Sequence, residues 1–179
     1  MKEFSVHSRV SRKNAIYTVL GLGLILFILA SDIYRWFFLQ AYQPVEMLLV
    51  GALFVLYIER VGARYTYIAG TTALEVLKRG LFGVRRYEVP YSEVLGIYNY
   101  KPKLVSVIKF RRTFRLHSAL DDRDVWALAY TAAKKNGDKE NCRIYFKPGD
   151  EMLDVLTKYL PGKVRITEEE VVQESLRRS

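Results

Sequence analysis

The chain has 179 residues, half of them hydrophobic, with 28 Lys and Arg against 19 Asp and Glu and a formal net charge of +9. A single cysteine, Cys142, excludes an internal disulfide framework and any zinc site built on several thiolates, and His7 and His117 lie too far apart in sequence to suggest imidazole chemistry. The positive balance favours anionic surfaces as partners, and a mean hydropathy near zero conceals an apolar first third.

Residues 14–31 read NAIYTVLGLGLILFILAS, 18 residues without a charge between Lys13 and Asp32. At 1.5 Å per residue they cover roughly 27 Å, close to the hydrocarbon thickness of a bilayer. The stretch is long for a signal peptide and lacks an A-x-A-like cleavage site. A second span is expected over about 41–59. Its uncharged heart, 47–58 (MLLVGALFVLYI), is extended backward through Glu46 and Pro44, which suit an outer helix end. Between them, Ile33-Tyr34-Arg35-Trp36-Phe37-Phe38 supplies the rings that settle at a membrane interface. The sequence thus predicts a basic N-terminus over 1–13 and a transmembrane hairpin over 14–60.

Lys2, Arg9, Arg12 and Lys13 precede the first span, Arg35 alone lies in the connector, and Arg60 and Arg64 follow the second. The positive-inside rule then predicts a multi-pass protein of the cell membrane with both termini cytoplasmic. A lone thiol agrees with a reducing compartment. Glu46 is the one intramembrane acid and sits near an end, and Gly21 and Gly23 are not a GxxxG pair. Anchoring is the expectation, with the lipid bilayer as the integral partner.

Residues 64–160 are expected to form one cytoplasmic domain, followed by a charged tail over 161–179. Strands are predicted at about 64–70, 73–80, 83–89, 92–100, 104–110 and 113–117, separated by short breaks such as Gly80-Leu81-Phe82-Gly83 and Lys101-Pro102-Lys103. Connections this short favour antiparallel neighbours. A helix is predicted over 121–136, with Asp121, Asp122 and Asp124 at its start, Val125, Leu128, Ala129 and Ala132 at helical spacing, and Lys134-Lys135-Asn136-Gly137 at its end. A seventh strand at 142–146 feeds a helix with Leu153, Leu156 and Leu160 on one side, ended by Pro161-Gly162.

Three sets of residues carry a resemblance: Tyr65-Thr66-Tyr67-Ile68; Leu74-Glu75-Val76-Leu77-Lys78-Arg79-Gly80-Leu81-Phe82-Gly83; and Val89-Pro90-Tyr91-Ser92-Glu93-Val94. With Arg143-Ile144-Tyr145-Phe146-Lys147-Pro148-Gly149-Asp150 leading into the last helix, they make residues 64–160 resemble the bacterial pleckstrin-homology-like membrane proteins, the bacterial PH domain 2 family. The resemblance implies an α+β, mostly β fold: a PH-like seven-stranded antiparallel barrel with a C-terminal capping helix, here with the 121–136 helix inserted, behind a two-helix transmembrane hairpin. It implies a binding or scaffold module and no general reaction.

Charge placement narrows the candidate site. Residues 64–117 hold 11 Lys and Arg against Glu75, Glu88 and Glu93, whereas residues 118–179 are nearly balanced. Two clusters stand out: Lys78, Arg79, Arg85 and Arg86 around one hairpin, and Lys109, Arg111, Arg112 and Arg115 around another. Near an anionic leaflet each such residue contributes about 1 kcal/mol. The expected partner is a protein, another membrane protein or a second copy, or else anionic phospholipid headgroups; the competing reading of both clusters is ordinary solvated faces that select no ligand.

Tyr98, Tyr100, Phe110 and Phe114 read as strand core, not a nucleic-acid platform. His117 and Ser118 are adjacent, so on a strand they point to opposite faces and form no dyad. Glu168-Glu169-Glu170 reads as a solvated helix start and Cys142 as a buried small apolar residue. No catalytic residues, metal site or cofactor are therefore expected, and a non-enzymatic scaffold is the prediction. The alternative is a subunit of a membrane transport or enzyme complex. A separate route is a peptide groove beside the 121–136 helix, lined by Trp126 and Tyr130 one turn apart, although packing of both onto the barrel is the expectation.

Overall fold

The computed structural model describes residues 3–41, 43–101, 110–133, 137 and 139–178. Strand β1 (Phe4–His7) is followed by helices α1 (Arg12–Leu39) and α2 (Pro44–Gly62). Next come strands β2 (Arg64–Ala69), β3 (Ala73–Gly80) and β4 (Gly83–Pro90), which with β1 form an antiparallel sheet in the order β1-β2-β3-β4. Along β2, Tyr65, Tyr67 and Ala69 are buried while the residues between them are not, the period of two that one core face requires.

The second sheet holds β5 (Val94–Asn99), β6 (Arg112–Arg115), β7 (Trp126–Ala133), β8 (Lys139–Phe146) and β9 (Val164–Ile166), in the order β6-β8-β7-β5-β9. Helix α3 (Asp150–Tyr159) precedes β9, and α4 (Glu168–Arg178) follows it. The main core lies between the sheets, where Tyr65, Tyr67 and Val76 meet Ile97, Leu128, Ile144 and Phe146, with Met152, Leu153 and Leu156 of α3 completing it. A smaller cluster, Leu95, Tyr98, Ala127, Ala129, Tyr145 and Val171, sits on the other face of the second sheet under α4. Gly96 allows this close approach: a Cβ there would lie 2.3 Å from Ile166 Cδ1 and 2.8 Å from Val171 Cγ2.

Several expectations are corrected. The expected seven-stranded antiparallel barrel is absent: the described residues form sheets of four and five strands and no closed barrel. Nor is the second sheet purely antiparallel, because β6 runs parallel to β8 and β9 parallel to β5. The inserted helix over 121–136 is not found. Its middle is β7, a central strand paired with β5 on one side and β8 on the other. The peptide groove beside that helix goes with it, since Trp126 and Tyr130 pack against the main core. Residues 104–109 of the predicted strand 104–110 lie outside the described residues. The tail is built in, with Val171 fully buried.

The expected transmembrane hairpin of two spans is also overturned. Among the described residues one helix, α1, is long and apolar enough to cross a membrane, and none of its side chains is buried. Helix α2 is shorter and carries Glu46, Glu59 and Arg60 within its 19 residues, so a multi-pass topology is not supported.

One buried hydroxyl ties the layers together. Tyr67 Oη donates to the Leu116 carbonyl at 2.9 Å and accepts the Lys147 N–H at 3.2 Å. Tyr67→Phe strands both backbone groups and is expected to cost about 1–3 kcal/mol in chemical denaturation, well above a surface substitution.

Candidate functional site

The junction between helices and sheets is where the charged residues of interest gather. Ser8 pairs with Tyr65 in both directions, through its backbone N–H at 2.8 Å and its hydroxyl at 3.1 Å. The Ser11 N–H donates to the Leu120 carbonyl at 2.8 Å, and Asn14 Nδ2 lies 3.4–3.5 Å from the carbonyls of Ala119, Leu120 and Asp121. The first turn of α1 is thereby latched to the loop after β6.

Asp121, 0% exposed, is the hub of this latch. Its carboxylate accepts the Arg9 N–H at 3.0 Å and the Arg123 N–H at 3.1 Å, and forms an ion pair with Arg123 Nη2 at 2.5 Å. Arg123 also donates to the Pro148 carbonyl at 3.1 Å and the His7 carbonyl at 3.0 Å. Burial raises the Asp121 pKa, but the Arg123 hydrogen bond and the two backbone donors outweigh it and hold the carboxyl below its ordinary value. The aspartate read as a helix start is a structural ion-pair centre.

The first basic cluster does not converge. Strand alternation places Lys78 opposite Arg85 on the core-side face, and Arg79 and Arg86 on the other face, where Arg79 stands opposite Arg64. Lys78 Nζ pairs with Glu59 Oε1 at 2.7 Å, and Arg86 pairs with Glu75. In the second cluster, Arg111 and Arg112 flank buried Glu140 at 3.7 Å and 3.0 Å, while Arg115 is exposed. Lys109 lies outside the described residues. Among the described residues the first cluster is thus split between two faces of its sheet, and Arg111 and Arg112 of the second turn to Glu140.

The turn between β3 and β4 carries a different signal. Leu81, Phe82 and Val84 are 63%, 66% and 65% exposed. This tip is held to α2, because the Leu81 N–H donates to Glu59 Oε2 at 2.7 Å. Gly80 permits the approach: a Cβ there would stand 2.5 Å from Glu59 Oε1. In the sequence Leu81 and Phe82 read only as turn residues. Two adjacent large apolar residues inside a four-residue turn were the available signal.

Comparison with known proteins gives no relative: no family model, curated protein or solved structure matches the chain.

Among the described residues no three His, Cys, Asp or Glu side chains are grouped to hold a metal ion. Cys142 is buried beside Glu140, and burial first, then the Glu140 charge, pushes its thiol pKa up. Glu46 is half-exposed, 4.0 Å from Arg35, at the far end of the helices.

His117 is half-buried with Nδ1 unpartnered, and its pKa is lowered to about 4 by burial and then by the charges of Arg60, Lys147 and Arg115. A histidine held neutral when folded favours the unfolded state once protons bind. Its contribution is present above the unfolded value near 6.5 and is lost as pH falls toward 4. Discounted for the solvent that reaches the ring, the loss is about 1–2 kcal/mol. Denaturation midpoints of His117→Gln measured between these limits are expected to show a weaker pH dependence than those of the parent chain.

Proposed function

We propose that this chain is a membrane-bound, non-enzymatic binding or scaffold module working at the cytoplasmic face of a bilayer. The observation that carries the proposal is α1, uncharged over residues 14–31, with no buried side chain, and latched at its first turn to a folded basic domain. An apolar surface this large needs a nonaqueous environment. The side is supported by charge, since Arg9, Arg12, Lys13, Arg60 and Arg64 lie at the domain end of the helices and Arg35 at the other. Arg79, Arg85 and Arg115 are exposed where anionic headgroups would meet the domain.

Full-length protein in membranes of expressing cells should stay in the pellet through alkaline carbonate extraction. Lipid co-purified with it in mild detergent should be enriched in anionic species, and Arg79→Gln, Arg85→Gln and Arg115→Gln together should remove the enrichment. Release by carbonate would overturn membrane anchoring. Lipid that matches the bulk composition would overturn headgroup recognition and leave a protein partner as the ligand.

A further inference from the structure

We propose that the β3–β4 turn is a lipid-inserting tip, with Leu81 and Phe82 entering the top of the acyl region and Arg79 and Arg85 bracketing them at headgroup depth. The inference rests on α1 being a membrane helix and names a second point at which the chain enters the same bilayer.

Depth is fixed by two contacts. Tyr57 Oη donates to the Thr18 carbonyl at 2.9 Å, setting Tyr57 of α2 beside Thr18 of α1. Thr18 lies four residues past Asn14, where the uncharged stretch of α1 begins. Glu59 is two residues beyond Tyr57, about 3 Å along the axis, and it holds the tip through the Leu81 N–H and through Lys78. The tip is therefore level with the start of the apolar stretch, where hydrocarbon gives way to headgroups.

Chemistry agrees with depth. Leu81, Phe82 and Val84 have no covering element among the described residues, and each is roughly two-thirds exposed. Within the hairpin, Arg79 faces Val84 and Lys78 faces Arg85. The acids Glu75 and Glu88 lie further back, opposite one another. An apolar tip bracketed by cations suits an anionic lipid surface better than an acidic or apolar protein groove alone. The opposite end of the same sheet offers a control, because exposed Thr71 precedes β3, about 23 Å of strand from the tip.

The test uses the full chain in phosphatidylcholine–phosphatidylglycerol vesicles, with an environment-sensitive fluorophore on Val84→Cys and, separately, on Thr71→Cys and Leu24→Cys. Buried Cys142 is left in place. Nitroxide lipids spin-labelled near the top of the acyl chain should quench the label at 84 by about twofold or more, and leave the label at 71 unquenched. Leu81→Ser with Phe82→Ser should abolish quenching at 84. Quenching at 84 no greater than at 71, or unchanged by the two serines, overturns the tip. The label at 24, in the middle of the uncharged stretch, is read with lipids spin-labelled near the end of the acyl chain and separates the two ideas: if it is quenched while 84 is not, α1 remains a membrane helix and only the tip fails. If 24 is also unquenched, the membrane reading itself fails.

Discussion

Replacing Arg123 with alanine is expected to lower the unfolding free energy by about 3–5 kcal/mol, the largest effect of any single substitution outside the core. The reason is asymmetry. In the intact protein the guanidinium reaches both oxygens of a fully buried carboxylate and two backbone carbonyls, those of His7 and Pro148. Without it, Asp121 keeps its place but loses its counter-charge, and two carbonyls lose a donor. Asp121→Leu combined with Arg123→Met should recover much of the loss, because removing both charges avoids a buried ion without a partner. Chemical denaturation in mild detergent, followed by the fluorescence of half-buried Trp126, would measure all three variants. Asp121 also predicts the pH behaviour. Its lowered pKa means its stabilisation is present above the ordinary value near 3.8 and lost as pH falls below it, so Asp121→Asn and the parent chain should converge in strong acid. An Arg123→Ala protein as stable as the parent would show that the hub is dispensable.

The second large effect concerns α1. Leu24 and Phe27, 62% and 69% exposed, lie in the middle of the uncharged stretch. An arginine at the centre of a spanning helix costs about 2.5–3.5 kcal/mol, whereas leucine and phenylalanine there contribute favourably. Leu24→Arg with Phe27→Arg should therefore shift the equilibrium by about 6–8 kcal/mol and move most of the protein out of the carbonate-resistant fraction. Leu24→Ala with Phe27→Ala, which shortens side chains without adding charge, should leave most of it in the membrane. Retention of the double arginine variant would contradict a bilayer environment for α1.

The strands β2, β3 and β4 were legible because one face of their sheet is exposed, so buried and open positions alternate and glycines mark the turns. Strand β7 was not. Sandwiched between β5 and β8 and covered on both faces, it has Ala127, Leu128 and Ala129 buried in succession. Consecutive burial erases the period of two, and an alanine-rich run flanked by acids and lysines then imitates a helix. β1 escaped for a different reason. It has four residues, and its partner β2 lies some 60 positions away, beyond any local pattern. A separation of 112 positions hid the Asp121–Arg123 hub, whose aspartate looked like a helix cap until the Arg9 N–H was brought to it. The basic clusters could be found as composition. Strand parity and the acids Glu59, Glu75 and Glu140 decide which of their members point together, and that needed the pairing registers.

The pairing of β1 with β2 has a consequence for how the protein is made. The first strand emerges from the ribosome long before its neighbour, and the apolar helix α1 is synthesised between them. Residues 4–7 must stay unpaired until residues 64–69 appear. A chain whose leading end failed to return would leave β2 with an open edge, a ready template for aggregation. Molecules lacking β1 at that edge would be recognisable to quality control as unfinished.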